Sequence, residues 1–148
     1  MDSKPKKAIV RLPCACASLR RAGRVVTRYY DAMLRPSGLE VSQFTLLQAL
    51  NETGEISQKQ LAALLEIDST TLTRTLAPLR EKGWLLSKAG ADRRELRLSL
   101  TAAGKRKYEG AVPYWEKAQK GLERSLGKEA LNRLIEAAVR AAGISLDE

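Results

Sequence analysis

Two helix-start signals stand on either side of one very short helix in ISQKQLAALLEIDSTTL, residues 56–72, and that arrangement constrains the fold more than any other feature. Ser57 and Gln60 form an S-x-x-Q capping box, in which hydroxyl and amide satisfy each other's free backbone donors. Leu61, Leu64 and Leu65 then supply an apolar face that ends near Glu66. Only Ile67 separates Glu66 from Asp68, a strong N-cap for the next helix. Two short helices joined by so tight a turn predict a helix-turn-helix.

The second helix of that pair has an unusual outer face. At about 100° per residue, Leu72, Thr75, Leu76 and Leu79 cluster on one side. Thr70, Arg74, Ala77, Pro78 and Glu81 lie opposite, with Thr71 and Thr73 at the edges. Pro78 loses the bond its missing N–H would make to the Arg74 carbonyl, and on an outward side water can satisfy that carbonyl. The entrance, with Ser69 added, is small, hydroxylated and marked by one arginine. Such a surface approaches DNA closely: hydroxyls meet phosphates or base edges, threonine methyls meet thymine, and arginine reads guanine bidentately. Gly83 supplies a left-handed stop.

Beyond Gly83 the pattern alternates. Leu96, Leu98 and Leu100 take turns with Arg97 and Ser99, the period of a half-buried strand, and WLLSK before them makes a hairpin with its tip around Gly90 to Arg93. Lys88, Arg93 and Arg94 lie on or beside that tip, where a wing can enter the minor groove. Asp92 is expected to orient an arginine, because a carboxylate is a bidentate partner for a guanidinium.

Helices flank this centre. The first is expected from near Leu12–Cys14 to just before Pro36, with a seam of Leu19, Ala22, Val26, Tyr29 and Met33. Ser42 is expected to cap a short helix that buries Phe44, Leu47 and Leu50. Thr101 opens a long helix with a seam of Tyr108, Ala111, Trp115, Ala118 and Leu122, bent near Pro113. After a break at Gly127, a last helix places Leu131, Leu134, Ile135 and Ala138 on one face. The expected architecture is mainly α with a small β-hairpin wing. Residues 1–36 form a basic segment and first dimerisation helix, 37–100 the winged helix-turn-helix domain, and 101–148 the C-terminal dimerisation helices. Two seam-bearing helices at opposite chain ends, flanking a core too small to cover both, call for a two-fold dimer.

Charge agrees with a polyanionic partner. The net charge is +9, and residues 1–36 hold nine Lys/Arg against two acids. Residues 69–97 hold seven basic residues against three acids, while residues 40–68 hold one against five. The chain has no histidine, which removes the commonest general base and metal ligand together. No Gly-rich phosphate loop or nucleophile–base pair appears, so no catalytic residue, metal or cofactor is expected. No apolar run approaches the ~18 residues of a membrane helix. The basic first thirteen residues lack a secretory signal's apolar segment, so a cytoplasmic protein without membrane contact is expected.

In LRPSGLEVSQFTLLQAL, SQKQLAALLEIDSTTLTRTLAPLREKGWL and DRRELRLSLTAAGK the chain resembles the MarR family of bacterial transcriptional regulators, from roughly Cys14 to Ala142. The last segment is the most specific, with Asp-Arg-Arg in the wing, a strand, then L-T-x-x-G opening a helix. The resemblance implies an obligate homodimer whose first, fifth and sixth helices interlock. It also implies a palindromic operator and release by a small ligand, often an aromatic or phenolic compound, or by cysteine oxidation. It matches Ser69, Thr70, Thr71, Thr73 and Arg74 to the recognition-helix entrance, and Asp92 and Arg94 to the wing pair, with Arg93 beside the tip.

An effector pocket is expected between the dimer helices and the winged domain, with Tyr29, Tyr30, Phe44 and Trp84 as candidate walls; aromatics at helical spacing are more often plain core. Cys14 and Cys16 are candidates for a redox switch. Residues two apart on a helix point to different sides, so they are expected not to bridge each other, and burial at a dimer interface is the plainer reading. The arginines of the first helix suit a carboxylate ligand, DNA outside the half-sites, or plain solvation. The expected function is a sequence-specific DNA-binding regulator, a repressor released by a small ligand. The alternatives are a non-specific architectural DNA-binding protein and a thiol-redox-sensing regulator.

Overall fold

The computed structural model describes residues 10–144. Six helices and a small sheet run in the order α1 (Ala15–Leu34), a 3₁₀ turn (Arg35–Ser37), α2 (Val41–Thr53), β1 (Ile56–Ser57), α3 (Gln58–Leu64), α4 (Ser69–Glu81), β2 (Leu85–Ala89), β3 (Leu96–Leu100), α5 (Ala102–Leu126) and α6 (Lys128–Ala142).

Helix starts are set by local capping. Ser57 accepts from the Gln60 N–H at 3.0 Å while the Gln60 side chain accepts from the Ser57 N–H at 3.1 Å, closing the expected box. Thr101 caps α5 through the Gly104 N–H. The start of α2 differs from expectation: the capping residue is Glu40, paired reciprocally with Gln43, and Ser42 already lies inside the helix. A carboxylate accepts the free N–H groups of a first turn as well as a hydroxyl does, so the cap sits two residues upstream. Arg35 also differs: it stays right-handed helical, Pro36 sits in the 3₁₀ turn, and Gly38 at φ 73° makes the reversal.

The sheet has three antiparallel strands ordered β1-β3-β2, one more than a hairpin. In it Leu98 of β3 pairs with Ser87 of β2 on one side and Ile56 of β1 on the other. Of the alternating leucines only Leu98 is fully buried, and Leu96 near the tip is exposed.

The core gathers Leu34, Leu39, Phe44, Leu47, Leu50, Leu61, Leu72, Leu76, Leu79, Leu85, Leu98 and Ala111. Leu34 of α1 and Ala111 of α5 both lie in it, and α5 lays Tyr108 and Trp115 against Phe44. Pro78 and Pro113 both lie inside continuous helices. One apolar expectation fails in the single chain. Leu64 is 56% exposed, because seven helical residues present only one buried line, carried by Leu61. On α6 only Leu131 is buried, while Leu134, Ile135 and Ala138 are exposed, since α5 covers one edge of that helix alone. On α1 the buried residues are Tyr30 and Leu34, and the first half of its seam, Leu19 and Ala22, is exposed.

Candidate nucleic-acid interface

The entrance of α4 is held by Asp68. Its carboxylate accepts from the Thr71 N–H at 2.8 Å and from the Thr71 hydroxyl at 2.7 Å. Those two bonds hold the Asp68 carboxyl below the usual carboxylate range, the side-chain bond contributing most. Behind the entrance, Leu72, Leu76 and Leu79 are fully buried, which turns Ser69, Thr70, Thr73 and Arg74 outward. Among the described residues Arg74, Arg93 and Arg94 make no ion pair. An unpaired guanidinium on a small-residue surface is free to fork onto an anion or a guanine edge.

The wing comes to the same side. Ser69 and Leu72 of α4, Gln58 and Lys59 of α3, and Asp92 and Arg94 of the β2–β3 loop line one open groove of about 620 Å³. Asp92 does not orient an arginine side chain, contrary to expectation. Its carboxylate accepts from the Arg94 backbone N–H at 3.0 Å, and its carbonyl accepts from the Glu95 N–H at 2.9 Å. Two residues of separation suit a local turn bond better than a fork onto a long side chain. Asp92 thus shapes the tip, and the Arg93 and Arg94 side chains are left exposed.

Lys88 lies farther down the wing, 3.9 Å from Glu55, and faces Arg97 across the ladder. Arg97 is the wing's clamped cation. It donates to the Glu55 carboxylate at 2.8 Å and reaches Glu95 at 3.4 Å. The Glu55 bond raises the Arg97 pKa.

Several contributors carry little or no signal in the sequence. Gln58 donates to Thr73 Oγ1 at 3.0 Å and accepts from Arg80 Nη2 at 3.0 Å, tying α3 to α4. Glu55 ties the α2–β1 turn to the wing. The only advance signal for Gln58 is its place directly after the Ser57 cap; Glu55 and Arg97 are 42 residues apart and have none.

The four aromatics suggested for an effector pocket are occupied in packing within the single chain, and Tyr29 meets Tyr30 edge to face with ring centres 5.8 Å apart. Phe44 is 1% exposed and stacks on Trp115 with ring centres 5.8 Å apart, so it is core. Tyr29 and Tyr30 join α1 to α5, donating to the Ala118 carbonyl and the Gln119 side chain. Burial raises the Tyr30 pKa, with Tyr29 beside it adding to the effect. Trp84 packs against the same core with Lys82 and Lys107 over its ring at 4.8 and 4.9 Å. Cys14 and Cys16 are free thiols, and both are exposed in the single chain at the uncovered start of α1. Among the described residues no helix is long and apolar enough to cross a membrane, and no cluster of three metal-ligating side chains occurs.

A MarR family model matches residues 39–96. The M. tuberculosis transcriptional regulator MosR, solved in complex with DNA, is 38% identical with a TM-score of 0.77, over 87% of this chain and 96% of that one. The HTH-type transcriptional regulator YwoH of Bacillus subtilis is 33% identical over 62% of this chain and 66% of its own length. SarZ of Staphylococcus epidermidis, another HTH-type transcriptional regulator, is 28% identical over 57% of each. The chain therefore spans somewhat under two thirds of these curated relatives. With a winged helix-turn-helix at its centre and likeness to MosR along nearly all of that chain, this protein belongs to the MarR family, and the relatives it matches are transcriptional regulators.

Proposed function

We propose that this protein is a transcriptional repressor that binds a palindromic operator as a homodimer and leaves it when a small aromatic or phenolic ligand binds. The observation that carries the reading is the shared groove, in which the α4 entrance and the wing tip face one open surface with Ser69 and Arg94 in its walls. Ser69, Thr70, Thr71, Thr73 and Arg74 are assigned to the major groove. Lys88, Arg93 and Arg94 are assigned to phosphates or the minor groove, with Asp92 shaping the loop that carries the two arginines. The MosR–DNA complex supports the choice of partner. The dimer is supported by the uncovered apolar residues of α6, where Val139 is 68% and Ile135 47% exposed, and of α1, where Leu19 is exposed. Family membership supports ligand release.

Selection of bound sequences from a random duplex pool tests the central reading. A palindromic sequence should emerge and bind far more tightly than random duplex at the same salt, since phosphate contacts alone contribute equally to both. Equal affinities would return the protein to the architectural class. Titrating aromatic acids and phenols into the preformed complex then tests release.

One observation favours a second mode of release. Cys14 and Cys16 are exposed free thiols at the start of α1, so a bond to the partner chain is open to them. Peroxide treatment that neither shifts the non-reducing electrophoretic mobility nor weakens DNA binding would remove this reading.

A further inference from the structure

The hydroxyls that open α4 are not equivalent. Thr73 Oγ1 donates to the Ser69 carbonyl at 2.8 Å and accepts from the Gln58 amide at 3.0 Å. A hydroxyl has a single proton, so Thr73 has none left for a phosphate or a base acceptor. Gln58 is fixed from its other end. Its Oε1 accepts from Arg80 Nη2 at 3.0 Å, and Arg80 Nε donates to Ser87 Oγ at 3.2 Å. The chain Ser87–Arg80–Gln58–Thr73 thus links β2, α4 and α3 and holds the threonine in one rotamer. Thr73 is nevertheless exposed. With its oxygen occupied on two sides by the protein, what it offers outward is chiefly its γ-methyl. Thr70 contrasts with it, being exposed with no protein partner for its hydroxyl among the described residues.

We propose that Thr73 is a specificity-determining residue that recognises the 5-methyl group of a thymine, with Gln58 as the positioning residue that keeps its hydroxyl turned away from the base. The inference rests on α4 being the recognition helix. In the major groove thymine alone carries a methyl group, and apolar contact with it discriminates thymine from the other bases without any hydrogen bond. A pre-held methyl suits this task, because fixing the rotamer before binding removes part of the ordering cost. Arg74, next in the chain and free of ion pairs among the described residues, supplies the hydrogen-bonding half of the same readout.

The test uses the full-length protein and the sequence it selects from a random duplex pool. Each thymine of one half-site is replaced in turn by deoxyuridine, which removes only the methyl, and affinity is measured by fluorescence anisotropy. For the unaltered protein one such replacement should weaken binding about fourfold, the equivalent of burying roughly one methyl-sized group. Thr73→Val keeps the methyl and should keep that penalty, whereas Thr73→Ser keeps the hydroxyl and should lose it. Gln58→Ala should shrink the uracil penalty while leaving the salt slope unchanged; a Gln58→Ala protein weakened equally on thymine and uracil duplexes would show a merely structural role and overturn that assignment. The Thr73 inference is overturned if no uracil position separates Thr73→Ser from the unaltered protein. It is also overturned if Thr73→Val loses the penalty as Thr73→Ser is expected to. Failure of the unaltered protein to enrich any sequence would instead bring down the recognition-helix reading itself, and this inference with it.

Discussion

Arg74 and Asp68 show how differently two charged residues can act on one helix. Arg74 is exposed and without an ion pair among the described residues, and in the proposed function its partner is DNA. Arg74→Ala should cost about 1–3 kcal/mol of DNA binding and relax the preference at one base position, as measured by competition among single-base variants of the selected duplex. Asp68 acts inside the chain. Its folded carboxyl is held below the ordinary value by Thr71, so the cap is at full strength above about pH 4 and is lost as pH falls through the lower folded value. An asparagine in its place would still accept the Thr71 N–H but would not titrate. Melting temperatures of Asp68→Asn should therefore decline less steeply than those of the unaltered protein between about pH 5 and 3; parallel curves would deny Asp68 this role. Asp68 is legible in sequence because a cap is a local event. Asp92 is not, because a carboxylate near several arginines has many partners, and only the turn geometry selects the Arg94 backbone.

At the scale of elements, the joint between α5 and the winged domain is held at three points. Thr101 Oγ1 donates to the Gly83 carbonyl at 2.7 Å, the Thr101 N–H donates to the Trp84 carbonyl at 3.0 Å, and Gly104 lies so close that a Cβ there would strike the Trp84 carbonyl oxygen. A backbone oxygen cannot swing aside. Gly104→Ala should therefore destabilise the fold by roughly 1–3 kcal/mol in denaturant unfolding, the usual scale of overpacking. Gly121→Ala offers a control, since the atom in its way is the far end of the Tyr29 side chain, which can move. The wing is the other element with a distinct expectation. Replacing Arg93 and Arg94 together by Ala should lower the slope of log affinity against log salt by about 2 if each neutralises one phosphate; an unchanged slope would place the wing tip away from DNA. The hairpin is legible from its period of two. The third strand is not, because Ile56–Ser57 is two residues long and carries no pattern until β3 pairs with it.

For the whole molecule the imbalance is apolar. Val139, Ile135 and Leu134 on α6 and Leu19 on α1 stay exposed in the single chain, at opposite ends of the sequence. A second copy is the proposed cover. Val139→Asp should shift the protein toward monomer in sedimentation velocity and weaken operator binding with it, since two linked recognition helices bind far better than one. A Val139→Asp protein that stays dimeric, or an unaltered protein that is monomeric at all concentrations, would separate these faces from assembly. The suggested effector aromatics illustrate the limit of periodic reading at this scale. Tyr29 does lie on a helical seam, yet Tyr29, Tyr30 and Phe44 are each occupied in packing between α1, α2 and α5, whereas Trp84 belongs to the joint with Lys82 and Lys107.

The order of amino acids alone determined much of what neighbours within about one helical turn govern: the caps at Ser57, Asp68 and Thr101, the stops at Gly83 and Gly127, the buried line of α4 and therefore its exposed hydroxyl face. Packing in three dimensions chose which of those hydroxyls remain free, which arginine of the wing is clamped, and that α5 belongs to the core of the winged domain. The reason is physical: a cap or a helical stripe is settled by backbone donors and side chains a few residues apart, whereas the bonds from Gln58 to Thr73 and from Arg97 to Glu55 join residues 15 and 42 positions apart that meet only after the chain has packed.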